Sequence, residues 1–107
     1  MITITPPAAQ QIKAAALASN AQDLALRIEV QPKADGSFNY LMGFDDQSLS
    51  GDIGLEQQGV SLVISSNSQP LVQGMTLDFV ELDGQMEFIF LNPNDPYYQP
   101  PQDANDG

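Results

Sequence analysis

Apolar and polar residues alternate along several short segments of this chain, as they do in strands that bury only one face. In residues 24–30, leucine, isoleucine and valine lie on one face, and an arginine and a glutamate lie on the other. Residues 38–44 repeat the pattern with aromatic residues and methionine. Pro32 and the Asp-Gly pair at 35–36 lie between these segments and are typical of turns, so we predict a hairpin of two half-buried strands.

The same alternation predicts further strands in the second half of the chain. It is clear in residues 60–64 and weaker in residues 53–57. Segments 76–82 and 85–91 are joined by an Asp-Gly pair, the dipeptide most typical of a tight hairpin turn. The side chains of the last strand that are expected to face the core are Met86, Phe88 and Phe90.

One of these strands interrupts the regular alternation. In the segment 76–82 the apolar positions shift by one residue between Phe79 and Val80. Such a shift indicates either a β-bulge or a strand that is buried on both faces. The sequence leaves both alternatives open.

A helix is predicted near the N-terminus, after a short strand at residues 2–4. Thr5 is suited to cap the helix, and Pro6 is suited to its first position. The Ala-rich segment 7–19 places its apolar residues on one face at helical spacing, and Asn20 is a plausible end.

A second, shorter helix is predicted around residues 70–73. The preceding segment, residues 66–69, begins with serine and ends with glutamine, which matches a capping box. Gly74 is expected to end this helix.

These elements predict an α+β fold that is mainly β, with mostly antiparallel strands, one N-terminal helix and a short second helix. Residues 1–94 are predicted to form the domain. Residues 95–107 are rich in Pro, Asn, Asp and Gln and are predicted to form a disordered acidic tail.

The charge of the chain restricts its partners. Fourteen acidic residues against three basic ones give a net charge of −11. Binding to nucleic acid needs Lys or Arg at the phosphates, so no direct nucleic-acid partner is expected, and neither is a membrane surface. No apolar stretch is long enough to span a bilayer and no signal-peptide pattern opens the chain, so a cytoplasmic location is expected.

The chain contains no cysteine and no histidine, which removes thiolate nucleophiles, thiolate ligands and the usual acid–base side chain. No serine lies in a nucleophile motif and no glycine-rich phosphate loop occurs, so no catalytic residue is predicted. Three carboxylates cluster at Asp45, Asp46 and Asp52, but their spacing does not fit a calcium loop. We interpret them as a solvated acidic loop, with a catalytic carboxylate pair as the alternative.

Several segments, taken in order, resemble the A-type iron–sulfur carrier family, also called HesB- or IscA-like. The resemblance covers residues 2–94 and implies a compact, mainly β domain with packed helices. It is carried by Ile2-Thr3-Ile4-Thr5, Leu26-Arg27-Ile28-Glu29-Val30, Phe38-Asn39-Tyr40-Leu41-Met42-Gly43-Phe44-Asp45, Gly59-Val60, Leu77-Asp78-Phe79-Val80-Glu81 and Phe88-Ile89-Phe90-Leu91-Asn92-Pro93-Asn94.

The resemblance stops at the family's three cysteine ligands for iron or a cluster. One family cysteine lies five residues before the tyrosine of the F-x-Y strand, where this chain has Asp35. The other two follow the N-P-N segment, where an ungapped alignment places Gln99 and Pro101. A carboxylate and an amide do not replace three thiolates, so neither a metal site nor a cofactor is predicted.

A cysteine-free member of this kind resembles accessory proteins of dissimilatory sulfur oxidation. The resemblance implies a regulatory protein that acts through protein partners of that machinery. Because family members often assemble through their metal region and this chain lacks the ligands, and because its charge produces self-repulsion, a monomer is expected. A weak metal carrier with oxygen ligands, or an accessory factor of iron–sulfur assembly, is the alternative. Tyr97 and Tyr98 lie in a Pro-rich segment that suits either a plain extended tail or a short peptide ligand. The candidate partner-binding residues are Asp35, Asp45, Asp46, Tyr97 and Tyr98.

Overall fold

Seven strands, one α-helix and one 3₁₀ helix make up the described part of the chain, residues 2–47 and 49–96 of a computed structural model. The α-helix α1 spans Pro6–Ala18 and the 3₁₀ helix spans Ser66–Leu71. The strands are β1 (Thr3–Ile4), β2 (Ala25–Pro32), β3 (Phe38–Asp45), β4 (Ile53–Gln57), β5 (Val60–Ile64), β6 (Thr76–Leu82) and β7 (Gln85–Leu91). The two predicted hairpins and the weaker strand at 53–57 are all present.

The strands form two sheets. One has the order β3-β2-β5-β4 and the other has the order β1-β6-β7. The three hairpin pairs are antiparallel, whereas β1 with β6 and β2 with β5 are parallel. The predicted α+β, mainly β class with mostly antiparallel pairing is therefore confirmed.

The start and the end of α1 follow the predicted signals. The Thr5 hydroxyl accepts a hydrogen bond from the Ala8 amide at 3.3 Å, and Pro6 occupies the first turn. The same hydroxyl donates to the Asp78 carboxylate at 2.7 Å, which fixes the helix start to β6. Asn20 has a φ of 55°, the left-handed conformation that asparagine tolerates just after a helix.

The second helix differs from its prediction. It begins at Ser66 rather than near Pro70, it is a 3₁₀ helix, and its N-cap is Ser65, whose side chain makes no capping hydrogen bond. The predicted capping box is therefore wrong. Ser68 is buried and its hydroxyl accepts from the Val30 amide at 2.8 Å, so one turn of this helix is fixed to β2.

The β6–β7 hairpin pairs without interruption from Thr76–Leu91 to the turn. Asp83 and Gly84 both have positive φ, 52° and 84°, as a type I′ turn requires. A bulge at the shifted alternation is therefore wrong, and β6 is instead half-buried on both faces around Phe79. The expectation that Met86 faces the core is wrong as well, because 53% of this residue is exposed near the hairpin tip.

The core lies between the two sheets and α1. Gln57 of β4 joins the sheets: its side-chain oxygen accepts from the Ile4 amide at 2.9 Å, and its side-chain nitrogen donates to the Ile2 carbonyl. No helix in the described residues is both long and apolar enough to cross a bilayer. The buried apolar cluster comprises Ile2, Ile4, Ala8, Ala9, Ile12, Leu26, Ile28, Val30, Val60, Leu62, Ile64, Val72, Met75 and Leu77.

Candidate functional site

Asp35 lies at the exposed tip of the β2–β3 hairpin. The loop closes through a hydrogen bond from the Lys33 amide to the Ser37 carbonyl at 2.7 Å. One oxygen of the Asp35 carboxylate accepts from both the hydroxyl and the amide of Ser37, at 2.6 and 2.9 Å. These bonds lower the pKa of Asp35, with the hydroxyl as the largest cause. The carboxylate is therefore charged, and its hydrogen bonds stabilise the turn.

The N-P-N segment after β7 is attached firmly to the 3₁₀ helix. Asn92 is buried, its amide nitrogen donates to the Leu71 carbonyl at 2.8 Å, and its amide oxygen accepts from the Asn94 backbone at 3.0 Å. The Asn94 side chain donates to the Gln73 carbonyl at 2.8 Å. The two asparagines therefore fix the direction in which the chain leaves the last strand.

A tyrosine on β3 holds the residue that follows this segment. The Tyr40 hydroxyl donates to the Asp95 carboxylate at 2.7 Å, and its ring stacks on Phe90 with centroids 4.5 Å apart. Burial, followed by the bond to Asp95, raises the pKa of Tyr40, so the phenol stays protonated at neutral pH. Tyr40 follows Asp35 by five residues, so one hairpin carries both Asp35 and the residue that binds the chain after β7.

The donor groups do not fit an iron–sulfur cluster. Residues 2–47 and 49–96 contain no group of three or more Asp, Glu, His or Cys side chains that could hold a metal ion. Asp35 is a hard oxygen donor, and the chain has no cysteine to supply the soft thiolates that clusters need. The described residues do not include four of the predicted site residues, namely Tyr97, Tyr98, Gln99 and Pro101.

A second polar centre forms around Arg27, for which the sequence carries no local signal. The Arg27 side chain is only 9% exposed, and its Nε lies 2.7 Å from the Asp45 carboxylate. Its two terminal nitrogens bind both oxygens of Asp52, at 3.0 and 2.8 Å. The remaining donors reach the Ser65 hydroxyl at 2.9 Å and the Gln47 carbonyl at 3.0 Å.

The carboxylates of this centre are partners of the arginine rather than free surface charges. The Gln47 amide and then Arg27 lower the pKa of Asp45, and Arg27 and then the Leu49 amide lower the pKa of Asp52. The interpretation of a solvated acidic loop is therefore wrong for these two residues. Asp46 is exposed, and the described residues provide no ion pair for it.

Comparisons with known proteins agree on one family. The sequence profile described as "Iron-sulphur cluster biosynthesis" matches residues 1–95. A protein of Mycobacterium tuberculosis strain H37Rv is 38% identical over 93 residues, which cover 87% of this chain and 79% of that protein. The iron–sulfur cluster insertion protein ErpA of Mannheimia succiniciproducens is 35% identical over 94 residues, which cover 87% of this chain and 82% of ErpA.

A solved structure shows the same fold. The crystal structure of IscA with its [2Fe-2S] cluster superposes with a TM-score of 0.73 at 26% sequence identity. The match covers 87% of this chain and 86% of the IscA chain. The likeness therefore extends over nearly the whole of both chains.

Proposed function

This chain belongs to the iron–sulfur cluster biosynthesis family, and we propose that it uses the family scaffold for protein contacts rather than for carrying a cluster. In this proposal it is a non-catalytic, cytoplasmic accessory or regulatory protein. The proposal is carried by one observation: the chain after β7 is held in place, but it has no thiolate ligands for a cluster. The Tyr40–Asp95 bond and the N-P-N attachment hold the chain near the family ligand region, while no thiolate is available there.

The names of two similar proteins indicate which group the missing thiolates would have bound. One relative is named for iron–sulfur cluster insertion, and a similar structure holds a [2Fe-2S] cluster. In our proposal the shared scaffold contacts other proteins, and the surfaces for these contacts remain although the cluster ligands are lost. A carboxylate at Asp35 would favour hard cations and would bind an iron–sulfur cluster poorly.

We assign the process to dissimilatory sulfur oxidation, on the resemblance to cysteine-free accessory members of the family. The partner is a protein of that machinery, and any effect on transcripts passes through a protein because the charge of −11 opposes RNA binding. The same charge produces self-repulsion, which favours a monomer.

The electrostatics support a partner with a basic surface. Asp35 and Asp46 are exposed and are free to attract such a surface over a distance. Asp45 is less suited to this role because its carboxylate is bound to Arg27. Such attraction weakens as salt screens it.

The test is an anaerobic affinity capture from an extract of the source cells, with and without RNase, eluted by a salt gradient. The bait variant Asp35→Asn/Asp46→Asn is compared with Asp23→Asn/Glu56→Gln, which removes two exposed charges elsewhere. We expect RNase-resistant capture of sulfur-oxidation proteins, with earlier elution from the first variant only. An empty capture at high abundance of the bait would contradict the proposal, and so would capture that depends on RNA.

A further inference from the structure

β7 is an edge strand whose outer side has no partner among the described residues. It lies at the end of the sheet β1-β6-β7, and within residues 2–47 and 49–96 it pairs with β6 alone. No turn, loop or cap hydrogen bond in these ranges reaches the backbone of residues 85–91. With respect to the part of the chain that the structure describes, its outward amides and carbonyls are therefore available to pair with an added strand.

Most of the devices that usually protect such an edge are missing from β7. Proteins discourage pairing at an edge with lysine, proline, a bulge or a very short strand. β7 has seven residues, contains neither lysine nor proline, and keeps an unbroken register with β6. Glu87 is its only charged residue.

Apolar side chains are exposed along this edge. Met86 is 53% exposed, and Leu82 on the opposite face of the hairpin is 43% exposed. Phe88 is half-buried and packs on Phe79, with ring centroids 4.7 Å apart. An added strand next to β7 would cover part of the Met86 and Phe88 side chains, which share one face of the strand, and this burial is the energetic source for such docking.

The charges of the hairpin indicate which kind of added strand would pair with the β7 edge. Residues 81–87, at the end of the hairpin, contain three carboxylates, and residues 76–91 contain no basic residue. Opposite charges on neighbouring strands stabilise a sheet, and like charges directly opposite each other destabilise it. A second copy of this chain would bring two acidic hairpins together and is therefore disfavoured. The three carboxylates are Glu81, Asp83 and Glu87, whereas the carboxylate of Asp78 on β6 is bound to the Thr5 hydroxyl.

We propose that the β7 edge receives an extended segment of a partner protein, in which basic and apolar residues alternate, as a fourth strand of this sheet. The inference rests on the proposed function, because it adds a docking strand to the protein contact that the exposed Asp35 and Asp46 attract. Main-chain hydrogen bonds supply the affinity, and the carboxylates together with Met86 and Phe88 select the side chains.

The test uses a synthetic probe on the full chain. Nitrogen-15-labelled protein is titrated with the peptide acetyl-KVKVKVK-amide, and binding is followed by amide chemical shifts and hydrogen exchange. The same residues in the order KKKKVVV keep the charge but lose the alternation, and EVEVEVE keeps the alternation but reverses the charge. We expect saturable shifts and new exchange protection in residues 85–91 with the first peptide alone.

Two variants test whether the peptide binds at the β7 edge. Glu87→Lys reverses a charge on β7, and Glu56→Lys makes the same change on β4, an edge strand of the other sheet. We expect the dissociation constant to rise at least about fivefold for Glu87→Lys, because one exposed charge pair is lost and a repulsion is added, and to stay unchanged for Glu56→Lys.

Three results would overturn the inference. These are equal binding of KKKKVVV, equal weakening by both substitutions, and shifts confined to the edges β3 or β4. Concentration-dependent broadening of the β7 signals without peptide would identify a second copy as the occupant and would also overturn it. If the peptide fails while affinity capture still yields sulfur-oxidation proteins, the proposed function stands and only this surface is wrong.

Discussion

Arg27 shows most clearly how a single side chain organises part of this molecule. Its guanidinium joins β2 to the end of β3, to the loop that follows β3 and to the residue before the 3₁₀ helix. The alternation along β2 correctly placed Arg27 on the polar face. It could not reveal that the Arg27 side chain is buried. The partners Asp45 and Asp52 are 18 and 25 residues away in the chain, and the folding of the sheet brings them to Arg27.

Removing this arginine should destabilise the protein more than removing any exposed cation. In Arg27→Met, Asp45 and Asp52 lose the partner that offsets the cost of their partial burial. Lys33→Met removes the same charge from an exposed turn and is the matched control. We expect a clearly lower urea midpoint and faster amide exchange in residues 45–52 for Arg27→Met alone. Equal midpoints would contradict this role.

The pairing also predicts a pH dependence. A carboxyl whose pKa is lowered by folding stabilises the fold above its unfolded pKa, about 4, and loses that contribution as the pH falls through its folded pKa. Asp52→Asn removes this contribution. The difference in unfolding free energy between wild type and Asp52→Asn should therefore be largest above about pH 5 and should shrink towards pH 2. A difference that is constant or that grows in acid would contradict the assignment.

At the scale of elements, the sequence predicted best where the signal is local. The Thr5 cap, the Asn20 end and the Asp-Gly turn of the last hairpin each depend on neighbouring residues, and each is confirmed. The 3₁₀ helix was misplaced because its position depends on distant contacts, such as that between Ser68 and Val30. The long-range role of Asn92 had no local signal beyond the resemblance of the N-P-N segment to a family.

Asn92 provides the test at this scale. Asn92→Ala removes the donor to the Leu71 carbonyl and the acceptor for the Asn94 amide at a buried position. The Leu71 carbonyl keeps a bond from the Asn94 side chain at 3.2 Å, but the Asn94 amide loses its acceptor, and the loss of these bonds costs about 2 kcal/mol of unfolding free energy. The control is Asn39→Ala, an exposed asparagine on β3, for which we expect a change within about 0.5 kcal/mol. Similar losses in the two variants, measured by urea unfolding, would argue against a structural role for Asn92.

For the molecule as a whole, the sequence predicted the fold class and the family but not the order of the strands. Hairpins can be predicted because their two strands are adjacent in the chain. The parallel pairs of β1 with β6 and β2 with β5 join segments that are far apart in the chain. The composition excluded a thiolate site without any structure, because the chain has no cysteine. What the structure adds is that Tyr40 binds Asp95 and Asn92 binds the Leu71 carbonyl, so the chain that leaves β7 is held in a defined direction.

Anaerobic reconstitution with iron and sulfide tests most directly whether this scaffold has kept its frame and lost its ligands. The wild type is compared with Asp35→Cys/Gln99→Cys/Pro101→Cys and with Gln22→Cys/Asn39→Cys/Glu56→Cys, which places three thiols at scattered exposed positions. After desalting, we expect bound iron, bound sulfide and visible cluster absorption only in the first triple variant. A stoichiometric cluster on the wild type would contradict the loss of ligands, and no cluster on the first triple variant would contradict the persistence of the frame.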